Sequence, residues 1–202
     1  MREGSRRPKC LLDVLLKLHI EDQVLDEEEV RQEVDTFIAA GHVSIAVTVK
    51  WALFLVGLYP EVQEKIHQEL DSVLGADSKG PLSVADLNEL KYLECVLKES
   101  NRLYPPAGAV ARKFLKTSAF VATKYPREHT LLWHLLGAQR RRRPRDCIGR
   151  VFAEMEAKIL VCHILRSFSL HSLDSRDQVL PIIKLSLQSS QPARIKFRHR
   201  QQ

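Results

Sequence analysis

Pro144-Arg145-Asp146-Cys147-Ile148-Gly149-Arg150 is the stretch that decides the fold. It puts a cysteine in a loop that feeds an apolar-periodic run of Val151, Phe152, Met155, Ile159, Leu160, Cys162, Ile164 and Leu165, a pattern that predicts a long helix. A sulfur just ahead of a helix N-terminus faces unpaired backbone N–H groups and the positive end of the dipole. Both favour the thiolate, the form that ligates a metal. Gly149 removes a side chain where the backbone must approach a bound group closely. Arg145 has the reach and planar donor fork to meet a carboxylate. Read alone, a cysteine such as Cys147 is more often a buried, inert thiol; the surrounding residues reverse that preference.

A second signal lies upstream. Glu99-Ser100-Asn101-Arg102 runs into Leu103-Tyr104-Pro105-Pro106. Glu99 and Arg102 sit one helical turn apart and can pair, either as a buried brace or as an exposed i,i+3 ion pair. Before both lies a long helical run, in which Ala40-Gly41-His42-Val43-Ser44-Ile45 places a glycine and an alcohol close together. An apolar helix with an incidental glycine is the plainer reading of that run taken alone.

In this order, the three segments resemble the cytochrome P450 family of haem-thiolate monooxygenases. Val34-Asp35-Thr36-Phe37, the Gly41-His42 pair, Trp51-Ala52-Leu53 and Pro60-Glu61-Val62-Gln63 are similar to its fatty-acid hydroxylase branch, family 4. The resemblance implies a mainly α chain with small β elements, a partial cytochrome P450 fold. Its parts would be the long central helix, the Glu-x-x-Arg helix, the Cys-ligand loop and the last long helix. It implies haem with Cys147 as axial metal ligand, Gly149 close to the haem, and Arg112 and Arg145 directed at the propionates. Glu99 and Arg102 become a structural pair, and Ser44 the catalytic alcohol for proton delivery on the distal side. Lipid or fatty-acid-like hydroxylation follows, with NADPH electrons arriving through a flavoprotein reductase. The resemblance places the protein at the cytosolic face of the endoplasmic reticulum membrane, or in the cytoplasm if this chain is the whole product, since it contains no anchor.

The pattern departs from the family at several positions. The family carries an acid where Val43 stands and a haem-esterifying Glu, in many branch members, where Ala40 stands. Its haem loop has Phe and Gly seven and four positions before the cysteine; here these are Arg140 and Arg143. Arg102 and Cys147 are 45 residues apart, too few for the strands and meander of the family. The expected organisation is a single partial domain over 1–202, with 115–146 an atypical, shortened connection. These departures predict impaired turnover, and they leave a non-catalytic fragment as the alternative.

Composition bounds the remaining classes. Among 202 residues, 45% are hydrophobic and the net charge is +6, which supports a globular core and an acidic partner or an anionic surface. By the same resemblance Arg140, Arg141, Arg142, Arg143 and Arg150 would form a basic face for an acidic reductase; a solvated charge run is the plainer reading. No aromatic interleaving accompanies these arginines, so a nucleic-acid partner is not expected. Cys10, Cys95, Cys147 and Cys162 contain no C-x-x-C spacing, which argues against structural zinc. Val43 to Tyr59 is interrupted by Ser44, Thr48 and Lys50 and reads as a buried helix rather than a membrane span.

Local signals predict the other elements. A leucine stripe gives a helix over Pro8–Leu18. Asp26 with Glu29 reads as a capping box for the long helix, with Gly41 as a kink or close-approach point. Pro60 opens a helix to about Leu74, Gly75–Pro81 is a loop, Ser83 and Asp86 start another turn, and Leu90–Leu103 is helical. Strands are expected at Ala109–Phe114, Ala119–Ala122, Ser169–Leu173, Ile182–Leu187 and Ala193–Phe197. Lys124–Gln139 shows no period.

Overall fold

The computed structural model describes residues 10–75, 80–107, 109–113, 130–134, 147–184 and 186–200, with the backbone alone for 109–113 and 130–134. The chain is mainly helical. Six helices occur among the described residues: α1 (Leu11–Ile20), α2 (Glu27–Leu58), α3 (Pro60–Leu74), α4 (Val84–Glu89), α5 (Lys91–Leu103) and α6 (Arg150–Ser167). The strands are β1 (Ala109–Lys113), β2 (Thr130–His134), β3 (Phe168–Ser172), β4 (Pro181–Ile183), β5 (Leu187–Ser189) and β6 (Ile195–His199). They form three two-stranded antiparallel pairs, β1–β2, β3–β6 and β4–β5.

Contacts divide the chain into two compact units, 1–42 and 43–202, with the boundary inside α2. In the first unit α1 buries Leu15 and leaves Leu11, Leu12 and Leu16 exposed. The reciprocal box at the start of α2 forms as its sequence dictates. The Asp26 N–H donates to Glu29 Oε2 at 2.9 Å and the Glu29 N–H donates to Asp26 Oδ1 at 2.8 Å. α2 is assigned without a break across Gly41, and a Cβ there would meet nothing within 4 Å. The expected close approach at Gly41 is therefore not made by this chain's own atoms.

The second unit holds two apolar clusters. In the larger, Ala52, Leu53 and Val56 of α2 meet Ile66 and Leu70 of α3 and Leu87 of α4. Leu90 just ahead of α5, Leu93 and Leu97 of α5, Val161, Cys162 and Leu165 of α6, and Leu170 of β3 complete its buried set. In the smaller, Trp51 stacks on Tyr104 with centroids 4.1 Å apart and donates its Nε1–H to the Leu187 carbonyl at 3.2 Å. α2 is long and apolar enough to cross a membrane by composition. Its Trp51–Gly57 stretch is instead buried in these clusters, which is how a core helix behaves.

Polar contacts set how the elements meet. Pro60 opens α3, and Gly75 ends it with φ at +78°, a left-handed conformation suited to glycine. Ser83 and Asp86 cap α4 reciprocally. α5 has no side-chain cap of its own; Glu69 of α3 supplies one, accepting from the Tyr92 and Leu93 N–H groups at 2.6 and 2.9 Å. A buried Gln63 of α3 pairs with both backbone groups of Leu170 in β3. The backbones of α2 and β3 come close at Gly57, where a Cβ would lie 2.6 Å from Ser172 Oγ.

Three expectations change. Ile182–Leu187 is not one strand: the chain reverses at Lys184–Ser186 to pair β4 with β5, and the Lys184 N–H donates to the Ser186 carbonyl. The segment without a period contains β2, the partner of β1. On α6 the buried set is Ala157, Lys158, Val161, Cys162 and Leu165, whereas Val151, Phe152, Met155 and Leu160 are exposed. The strand expected at Ala119–Ala122 lies outside the described residues.

Candidate functional site

The site begins where the chain turns into α6. Gly149 is the N-cap residue of the helix, and its carbonyl accepts the Ala153 N–H at 2.8 Å. The Cys147 carbonyl accepts the Arg150 N–H at 3.3 Å. The backbone therefore makes a tight turn from Cys147 to Arg150 that leads directly into the helix. Gly149 has an ordinary φ of −85°, and a Cβ on it would sit 4.0 Å from Cys147 Sγ, an ordinary contact. Neither backbone strain nor crowding by the sulfur requires glycine here.

Cys147 is exposed, so the buried, inert thiol that a lone cysteine suggests is not what forms. Its neighbours are exposed too, and they are apolar: Ile148 is 91% exposed, Val151 73% and Phe152 71%. With Met155, these residues recur at the spacing of one helix face. A bare apolar face beside an accessible thiol suits a flat, largely apolar macrocycle whose metal takes a sulfur ligand. These residues fit haem.

The second cysteine of α6 behaves oppositely. Cys162 is fully buried in the larger cluster, and burial pushes its thiol up to about 11. It is a packing group, inert toward metals and oxidants at neutral pH.

Glu99 and Arg102 do pair, in the exposed form. Arg102 Nε donates to Glu99 Oε2 at 2.7 Å and Nη2 to Oε1 at 2.6 Å, with about half of each side chain open to solvent. The guanidinium holds the Glu99 carboxyl below its ordinary value, and the carboxylate raises Arg102. Such an exposed pair adds little stability. Ser44 is half-buried on α2, one residue before the buried Ile45. Arg112 lies on β1 opposite Leu131. Arg145 and Arg140–Arg143 lie outside the described residues. Arg150 is exposed and bonds Glu154 at 2.9 Å.

Sequence reasoning missed Lys158. It stands on the buried face of α6 and donates to the Leu87 carbonyl at 2.8 Å and to Glu94 Oε2 at 3.0 Å. A charge one turn before the apolar Val161 and Leu165 was the available signal. Lys98 and Lys158 together hold the Glu94 carboxyl down to about 2.

The family model for Cytochrome P450 matches residues 1–141 and 144–197. The chain belongs to the cytochrome P450 family. It is 31% identical to the probable cytochrome P450 4d20 of Drosophila melanogaster, over 98% of this chain and 44% of that protein. It is 35% identical to the human cytochrome P450 4V2, again over 98% and 44%. A crystal structure of a cytochrome P450 (CYP102L1) superposes with a TM-score of 0.74 at 22% identity, covering 87% of this chain and 47% of that one. This cytochrome P450 chain is thus family-4-like in sequence and has a partial P450 fold. It spans less than half the length of these relatives. The alignment to the Drosophila protein runs over 229 positions against a chain of 202 residues, so it contains gaps in this chain.

Proposed function

We propose that this chain is the haem-binding portion of a monooxygenase that hydroxylates a lipid or fatty-acid-like substrate, with Cys147 as the axial ligand. The observation that carries the reading is the accessible Cys147 thiol beside the bare Ile148, Val151 and Phe152 face, at the start of α6. Covering that face with a macrocycle removes apolar surface from water, at roughly 25 cal/mol per Å². Haem iron ligated by a thiolate supplies dioxygen activation, because electron donation from sulfur favours O–O cleavage.

The chain's own residues have distinct tasks. Cys147 donates the sulfur, and the α6 N-terminus offers N–H groups and dipole to its negative charge. Gly149 keeps the turn free of a side chain. Arg112 and Arg145 meet the propionates. Glu99 and Arg102 form the structural pair on α5. Ser44 holds a proton donor's position on α2, and Val43 leaves it without the neighbouring carboxylate. General acid–base help is worth about 100-fold to 10,000-fold, so turnover by this chain is expected to be weak and leaky. The chain is read as one partial domain, with residues 115–146 as a shortened connection between Arg102 and Cys147. Arg140–Arg143 and Arg150 would receive an acidic flavoprotein reductase fed by NADPH, at the cytosolic face of the endoplasmic reticulum. The second reading, a fragment acting through haem or protein association without turnover, is favoured by Val43.

Carbon monoxide difference spectroscopy on the haem-reconstituted, reduced chain tests the first reading. A red-shifted, thiolate-type band is expected, and Cys147→Ser is expected to abolish it. A red-shifted band that survives the substitution overturns Cys147 as ligand. With reductase, NADPH and a medium-chain fatty acid, peroxide should exceed hydroxylated product; efficient coupled hydroxylation would remove the fragment reading.

A further inference from the structure

We propose that Lys158 and Glu94 are a positioning pair that fixes the rotation and depth of α6, and through it the place of Cys147. The inference rests on the haem-thiolate reading of Cys147.

Cys147 begins a segment whose apolar side chains are largely exposed to solvent. Ile148, Val151 and Phe152 are exposed, and the first buried residues after Cys147 are Ala157 and Lys158. Arg150 to Lys158 is about 12 Å of helix. A small rotation or slide at Lys158 is carried along that length to the sulfur. Ala157, Val161 and Leu165 exclude water, but apolar contacts have no direction and tolerate such movements. The Lys158 ammonium is directional. Its side chain is 9% exposed, and it reaches the Leu87 carbonyl of α4 and the Glu94 carboxylate of α5 at once. Two acceptors on two helices define one setting of α6.

Stability alone does not explain the pair. Removing an ammonium from water is costly, and apolar replacement of a buried ion pair is often neutral or stabilising. What the charges add is a register. Glu94 also lies on the helix that carries Glu99 and Arg102, so one α5 reference frame serves both ends of the site.

The test uses the full 202-residue chain with Lys158→Met, Glu94→Gln and the double substitution. Methionine fills the space without donating, so Lys158→Met is expected to keep its far-ultraviolet circular dichroism and cooperative melting. After haem reconstitution, reduction and carbon monoxide addition, part of the population should lose the red-shifted band. Haem affinity should fall by about tenfold, the low end of what outer partners of a metal ligand contribute. The double variant should be no worse than Lys158→Met. Wild-type thiolate fraction and affinity in folded Lys158→Met overturn the proposal. If that variant does not fold, Glu94→Gln, which keeps shape and removes charge, carries the same expectation and the same refutation. If neither folds, the pair is a folding requirement and the positioning role fails. If the wild type itself gives no thiolate band, the haem reading fails separately. Amide hydrogen exchange over Gly149–Glu156 in the haem-free chain then decides positioning. Both substitutions should speed exchange there by up to about tenfold, the net value of one hydrogen bond; unchanged exchange overturns it.

Discussion

The two ends of α6 were built for different surroundings. From Ala157 to Leu165 the helix is closed into the larger cluster with α2, α3, α4 and α5. From Ile148 to Met155 its apolar side chains face outward. The buried end is held by this chain's own atoms and needs nothing else. The bare end carries Cys147, the proposed ligand, beside an apolar face that this chain leaves open to solvent. On the proposed reading, fold stability and cofactor capture are separated along one helix, about three turns apart.

The separation can be broken at the buried end. Leu165→Ala opens space among fully buried side chains and should cost about 2–5 kcal/mol, read as a lower denaturant midpoint with unchanged slope. A cost below 1 kcal/mol would mean that this end is not the anchor.

Acid titration sharpens the middle of the helix. The Glu94 carboxyl is held down to about 2 by Lys98 and Lys158, from an ordinary value of 4.5. A depressed carboxyl stabilises the fold above its unfolded value, and that contribution is lost as pH falls from about 4.5 toward about 2. Stability should therefore decline across that window, and Glu94→Gln should flatten this part of the profile. An identical slope in the variant would detach Glu94 from acid sensitivity.

The smallest effect belongs to the bare end. Phe152→Ser should move the melting midpoint of the haem-free chain hardly at all, within about 0.5 kcal/mol, while reducing aggregation. The same substitution should weaken haem retention. A large loss of stability without haem would show that Phe152 is packed by its own chain after all.

Signals confined to a few residues were legible in the sequence. The Asp26–Glu29 and Ser83–Asp86 boxes, Pro60 at the start of α3 and the loop-to-helix setting of Cys147 all act within one helical turn. The contacts that orient the helices were not legible. Gln63 bonds Leu170 across 107 residues and Lys158 bonds Glu94 across 64, and no local pattern reports such meetings. The β4–β5 reversal was hidden for another reason: Ile183-Lys184-Leu185-Ser186 contains no glycine, proline or asparagine to mark a turn. The stripe on α6 was read from apolar spacing alone, which cannot distinguish a face that meets the core from one that meets a cofactor.

Gln63 has a consequence for solubility. β3 belongs to a two-stranded pair, so its side away from β6 would present backbone groups to any passing strand. The Gln63 amide accepts the Leu170 N–H at 2.6 Å and donates to the Leu170 carbonyl at 2.9 Å. One side chain thus imitates a neighbouring strand residue, and the Ser172 hydroxyl donates to the Phe54 carbonyl of α2 at 2.7 Å two residues on. The free margin of the sheet is sealed by helices at these points, and a second copy of the chain finds no template there for edge-to-edge growth.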